Sequence, residues 1–231
     1  MPILAAFSVP HPPLNVPAVG RGSEGQIKAT AAAYEQVAAE IAALQPETIV
    51  ISSPHTVMYS DYFHISPGEG AEGSFRDFGA PEVSFRETYD AELAKTIERL
   101  SKEKDLPAGF LGEREKRLDH GTTVPLWFIR QKYDGFRLVR IGLSGLDLTE
   151  HYALGQLIRQ ASEETGRRVV YVASGDLSHK LRSHGPYGYA TEGPKYDHRL
   201  MDVCGRAAVG SSSTLSRPSV RRPPSAATGP S

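Results

Sequence analysis

The sequence predicts an α/β protein, a single three-layer domain whose central sheet, mostly parallel or mixed, carries helices on both faces. Strand-like apolar runs alternate with segments of helical periodicity, the pattern of a layered α/β domain. At 231 residues, 39 % of them hydrophobic, the chain is long enough to bury a real core. Three of the apolar runs lead into a histidine, and in α/β sheets ligands bind outside the carboxyl ends of the strands.

Taken in order, Ile3–Val9 reads as the first strand. After a Gly-rich connection, Ile27–Leu44 places Ile27, Ala31, Tyr34, Val37, Ile41 and Leu44 on one helix face, and Pro46 closes that helix. Thr48–Ser53 is the second strand. Residues 65–88, rich in Gly, Pro, Phe and charge, read as a long loop, and loops beyond ~12–15 residues in compact domains are commonly functional or disordered. Tyr89–Lys104 is an amphipathic helix with Leu93, Ile97 and Leu100 on one side. A third helix follows Asp119-His120. Phe136–Leu143 then gives a strand, Thr149–Glu164 a helix and Arg168–Ala173 a buried strand. No internal repeat is visible.

This pattern holds to about residue 208. From Val209 to Ser231 there is no acidic or aromatic residue, but seven Ser, four Pro and three Arg. One reading is a disordered Ser/Pro tail. The other is a shifted reading frame: back-translated and re-read from the third base of the Val209 codon, the segment yields RELFDFEQAFCAKAAECGHRSF for one choice of codons, which looks like ordinary helical protein.

Charge and cysteine content exclude several classes. With 26 basic and 27 acidic residues the net charge is -1, which points to neither nucleic acid nor an anionic membrane. The single cysteine, Cys204, cannot form an internal disulfide and suits a reducing cytoplasm. The segment MPILAAFSVPHPPL lacks a basic leader region, and no apolar run approaches the ~20 residues that span a bilayer. Whether copies associate into a homo-oligomer is left open.

The histidines carry the chemistry. His11 follows the first strand in VPHPPL, His55 the second in SSPHT, and His179 the last in SGDLSH, while His120 opens a helix in LDHGTTVPLWF. Strands that each end in a nitrogen ligand or proton carrier suggest one metal-centred pocket, with His11 and His55 as the best ligand candidates; neutral imidazole suits Fe, Zn, Cu and Ni. Asp176, three residues before His179, could fix that histidine's tautomer and raise its basicity, or simply cap a helix. His120 could likewise be a helix-cap feature, and His11 and His55 turn residues. His64, His151, His184 and His198 lack such context and read as surface or structural.

The elements HPPL, SSPHT, LDHGTTVPLWF, SGDLSHKL and GPYGYATEGPKYD resemble the class III extradiol ring-cleavage dioxygenase large subunit, and more closely the dioxygenase-like half of AmmeMemoRadiSam and Memo-like proteins. The resemblance covers residues 1–208. It implies a single α/β domain, Fe(II) bound by His11 and His55, His179 as acid/base, His120 holding substrate and O2, and a small aromatic diol as substrate. It also implies a glutamate as third ligand in the C-terminal part, where this sequence has no acidic residue beyond Asp202. The re-read tail supplies one in AAECG. Cys204, the type of ligand Memo proteins use, lies too early and reads more simply as a buried thiol; Glu192 belongs to a glycine-flanked loop. A zinc-dependent hydrolase and a Memo-like metal-binding adaptor without turnover are the rival readings.

Overall fold

A computed structural model describes residues 3–112 and 117–206. The Val209–Ser231 tail, and with it both readings of its origin, lies outside the described residues. The chain falls into two units, Met1–Leu177 and Ser178–Ser231.

The first unit runs β1 (Ile3–Val9), a 3-10 turn at Pro13–Asn15, α1 (Pro17–Gly20), a second 3-10 turn, α2 (Lys28–Leu44), β2 (Thr48–Ser53), β3 (Phe63–His64), β4 (Gly70–Phe75), a 3-10 turn at Arg76–Phe78, β5 (Ala80–Thr88), α3 (Ala91–Glu103), β6 (Ala108–Gly109), α4 (His120–Arg130), β7 (Arg137–Gly142), α5 (Leu148–Thr165) and β8 (Val169–Ser174). Its main sheet has the order β1-β8-β2-β7, with every pairing parallel.

Strand periodicity assigns the helices to the two faces. Every residue of β2 is buried. Ile49 and Ile51 point into a core with Tyr34, Ala38 and Ile41 of α2 and Val124, Leu126 and Phe128 of α4. Val50 points the other way, among Leu93, Ile97 and Leu100 of α3 and Leu154, Leu157 and Ile158 of α5. Leu138 and Val139 of β7, and Val170 and Val169 of β8, divide in the same way. Successive strand side chains alternate faces, so each strand feeds two cores, and the unit is a helix–sheet–helix sandwich.

The segment expected to be a loop is a β-hairpin. β4 and β5 pair antiparallel from Gly70↔Thr88 to Phe75↔Ala80, with a register shift after Ser74. Val83, Phe85 and Glu87 turn inward along β5 while Glu82, Ser84 and Arg86 face solvent. The alternation is genuine, but an inward glutamate masks it. Glu87 is 2 % exposed and is neutralised by a bidentate pair with Arg130, whose guanidinium also lies 3.8 Å over the Phe136 ring. At Gly70 a Cβ would strike the Glu87 carbonyl, so the first pair of the hairpin requires glycine.

At the amino end of the sheet, Asp90 ties three elements together. Its Oδ1 accepts the Leu93 N–H at 3.1 Å and caps α3. Its Oδ2 accepts Thr48 Oγ1 of β2 at 2.5 Å and Arg167 Nε, next to β8, at 3.2 Å.

Among its described residues the second unit carries a bridge between Leu181 and Tyr189 and one helix, α6 (Glu192–Gly205). On that helix Val203 is buried, but Cys204 is exposed, contrary to the buried thiol expected from its type. The helical phase turns Val203 inward and its neighbour out. No helix among the described residues is long and apolar enough to cross a membrane.

Asp90→Ala should lower the unfolding free energy by about 3 kcal/mol, the lower end for breaking a buried pair, because Arg167 stays a quarter exposed and keeps Glu92. Asp90→Asn should cost less, since its amide oxygen can still cap α3. Urea denaturation measures both, and a loss below about 1 kcal/mol for the alanine variant would refute the assignment.

Candidate metal centre

His11 stands two residues beyond β1, and its setting is built from α2, β8 and the start of α4. The Tyr34 hydroxyl of α2 donates to the Pro10 carbonyl. Burial, with the Asp176 carboxylate adding to it, pushes the Tyr34 phenol far above its ordinary value, so it remains a donor. The His11 N–H donates to Asp176 Oδ1 at 2.8 Å, and the ring is 2 % exposed. His11 Nδ1 lies 2.9 Å from Ser174 Oγ, the last residue of β8. The single hydroxyl proton of Ser174 is directed at the Gly121 carbonyl at 2.5 Å, and a carbonyl can only accept. Ser174 Oγ therefore accepts from Nδ1–H. Neutral His11 is left with a bare Nε2, the tautomer needed for metal ligation.

His55 stands two residues beyond β2. Its N–H donates to Ser53 Oγ at 3.1 Å, and Ser53 Oγ donates to Asp119 Oδ1 at 2.6 Å. Asp119 is also the N-cap of α4, accepting the Thr122 N–H at 3.1 Å and Thr122 Oγ1 at 2.9 Å. The cap reading of Asp119-His120 and its functional reading thus coincide: the residue that starts the helix holds His120 at the first helical position and, through Ser53, steadies the His55 turn. At Gly121 a Cβ would strike Ser53 Oγ, so this glycine is what lets the helix start approach β2.

Behind Asp119 lies Arg140 of β7, whose side chain is wholly buried. Its Nε donates to Ser66 Oγ at 2.8 Å and its Nη1 to the Arg117 carbonyl at 2.6 Å, with Asp119 Oδ2 3.8 Å away. A buried guanidinium is costly unless paired and hydrogen-bonded. Here the partners are Ser66 and the chain segment leading into His120.

The three imidazoles meet. One ligand atom from each of His11, His55 and His120 lies within 4.8 Å of the others, and His11 Nε2 and His55 Nε2 are 3.0 Å apart. Two nitrogens bound to one ion at about 2.1 Å and at right angles are separated by about 3.0 Å, so the donor set fits a metal ion. Burial, then the proximity of His55 and His11, lowers the His120 pKa to about 4, against the opposing pull of Asp119 and Asp176. His120 is therefore neutral at physiological pH. Its ring stands 5.4 Å from Phe78, edge to face. His55 and His120 open onto a cleft of about 940 Å³ whose outer wall is the β4–β5 hairpin, with Phe78, Pro81 and Phe85 beside Arg76 and Arg86.

Of the residues singled out from sequence, His11, His55 and His120 come together. Asp176 joins them through His11, and no helix begins after it until Glu192, so it caps none among the described residues. His179 lies in the second unit, exposed, its ring 4.9 Å from that of Tyr187. His64, expected to be surface or structural, is structural: it is 1 % exposed, with Nδ1 3.0 Å from the Leu111 carbonyl. Sequence reasoning passed over Ser53, Ser174 and Arg140. The one signal for Arg140 was a charge inside the apolar run RLVRIG.

Residues 5–211 match the family described as the catalytic LigB subunit of aromatic ring-opening dioxygenase. A Clostridium acetobutylicum protein that carries only a locus name is 38 % identical over 203 residues, which are 85 % of this chain and 43 % of that protein. The 2-aminophenol 1,6-dioxygenase beta subunit of a Pseudomonas species is 27 % identical over 77 % of this chain and 63 % of its own length. A MEMO1 family protein of Pyrococcus abyssi is 33 % identical over 68 % of this chain and 53 % of its own. The chain thus spans roughly half the length of the curated relatives it matches. With His11, His55 and His120 gathered at the carboxyl edge of a parallel sheet and the family match running through all three, the chain belongs to the LigB family of ring-opening dioxygenase catalytic subunits.

Proposed function

We propose that this protein is a non-haem Fe(II)-dependent extradiol dioxygenase-like enzyme that holds the ion through His11 and His55 and opens the ring of a small catechol-like diol with O2. The observation that carries this reading is the 3.0 Å approach of the two Nε2 atoms at the sheet's carboxyl edge, inside a chain of the LigB family. When bound, the ion supplies one centre at which the two diol oxygens and O2 are brought together. Everything else falls to the chain's own groups. Ser174 fixes the His11 tautomer, and Asp119 with Ser53 steadies the turn of His55. Neutral His120 faces the cleft and holds substrate and O2 by hydrogen bonding. The Phe78 ring covers part of the site and gives an aromatic ring a flat neighbour. His179 is assigned the acid/base role, removing the second hydroxyl proton at its imidazole nitrogen and returning it on ring opening.

Protein with His11→Ala and His55→Ala together should lose stoichiometric metal in elemental analysis; unchanged metal content would discard the ligand assignment. His179→Ala should leave the ion bound and reduce catechol-dependent oxygen uptake by ~10²–10⁴-fold, the usual share of a positioned acid/base. Wild-type traces from that variant would remove His179 from the role. The similarity to a MEMO1 family protein favours a second reading, metal binding without turnover. Stoichiometric metal with no oxygen uptake across a catechol panel would select it.

A further inference from the structure

We propose that the outer edge of β1 joins two copies of this chain into a two-fold dimer, in which two four-stranded sheets continue into one another. The two edges of the main sheet differ. On the β7 side Ile65 bridges Ile141 and Tyr89 bridges Leu138, and the carbonyls of Leu138 and Arg140 accept the N–H groups of Asp90 and Ser66, both at 2.9 Å. That edge is closed by the chain itself. On the other side, among the described residues, β1 pairs with β8 alone.

The ladder shows which groups of β1 face outward. Val9 pairs with Ser174, and its carbonyl accepts the Gly175 N–H at 2.9 Å. A strand residue turns its N–H and C=O to one side, and the side alternates along the strand. Val9, Phe7 and Ala5 therefore bond β8, while Ser8 and Ala6, both exposed, direct their peptide groups away from the sheet. The run ILAAFSV has no charge and no proline, two of the devices that blunt edge strands. Its register shift falls before Ala5, so residues 5–9 stay regular. β2, equally apolar, is buried throughout, whereas Ile3, Leu4, Ala5 and Phe7 of β1 are only half-buried. This is the composition of an inner strand at an outer position.

A second copy fits because the strand complements itself. Antiparallel pairing about a two-fold axis at Ala6 lets each Ala6 exchange two hydrogen bonds with its counterpart. It also sets Ala5 opposite Phe7 and Ser8 opposite Leu4, small against large and with no charge to bury. A net charge of -1 per chain puts little repulsion between the copies. His11 lies five residues past Ala6, so at about 3.3 Å per residue the two His11 backbones stand roughly 33 Å apart, at opposite ends of the contact. The dimer thus stands independently of the metal reading.

The test is sedimentation equilibrium of the full chain from about 1 to about 100 µM, the span in which small interfaces associate, with amide hydrogen exchange read at Ala6 and Ser8. The expected result is a monomer–dimer equilibrium that stops at the dimer, with both amides exchanging more slowly as concentration rises. Ala6→Lys, at an exposed position, sets like charges directly opposite each other. It should weaken the dimer at least about 5-fold while circular dichroism is unchanged. Ala6→Glu should do the same, and an equimolar mixture of the two variants should dimerise again. A monomer at every concentration overturns the proposal, as does a dimer that Ala6→Lys leaves intact or a species that grows past two copies. Slow exchange at Ala6 and Ser8 in a monomer overturns it as well, since the chain then covers its own edge. Should the lysine variant fold poorly, the concentration dependence of exchange in the wild type decides.

Discussion

The parallel register of β1, β8 and β2 is the constraint on which the rest of the molecule depends. Because the three strands end at the same level, short turns of two residues suffice to deliver His11, Asp176 and His55 to one edge of the sheet. The register is in turn held by burial on both faces: a one-residue slip in β2 would exchange Ile49 and Ile51 for Val50 between two cores of different shape. Packing specificity in the sheet thereby becomes positional precision at the site.

Hydrogen bonds convert that precision into chemical state. Ser174 and Ser53, the final residues of β8 and β2, each occupy a position where a hydroxyl can pass a hydrogen bond across strands. One sets a histidine tautomer, and the other links a histidine's backbone to the carboxylate that caps α4. Arg140 underwrites the arrangement from beneath. Its guanidinium is buried where a leucine would pack with less desolvation cost, and its contacts go to the segment that presents His120. This is a place where the sheet gives up apolar packing in favour of orientation.

Much of this was legible in the sequence because it was local. The fully apolar run TIVISS, the spacing of Leu93, Ile97 and Leu100, and the Asp119 cap all follow from periodicities that a single segment carries. What escaped was whatever a segment owes to a distant partner. The β4–β5 hairpin read as loop because Glu87 faces inward, and only Arg130, 43 residues on, makes that tolerable. Asp176 drew attention through its neighbour in sequence, His179; its hydrogen bond with His11, 165 residues away, left no local trace. Ser174 and Ser53 are unremarkable serines until the strands beside them are known.

That 165-residue separation has a consequence for the order in which the protein is made. β8 inserts between β1 and β2, so those two strands have no direct partnership to form early, and the sheet edge is incomplete until the last strand has been synthesised. A nascent chain that still lacks β8 can pair β2 with β7 but leaves β1 without its β8 partner, so His11 and His55 have no shared floor beneath them. Non-local pairing of this kind is slow because loop closure must precede reward. An ion held there would be captured late, and by mass action it would stabilise only molecules in which β8 is in place. A chain without that strand in register would gain nothing from such an ion, so binding there would report on completed assembly.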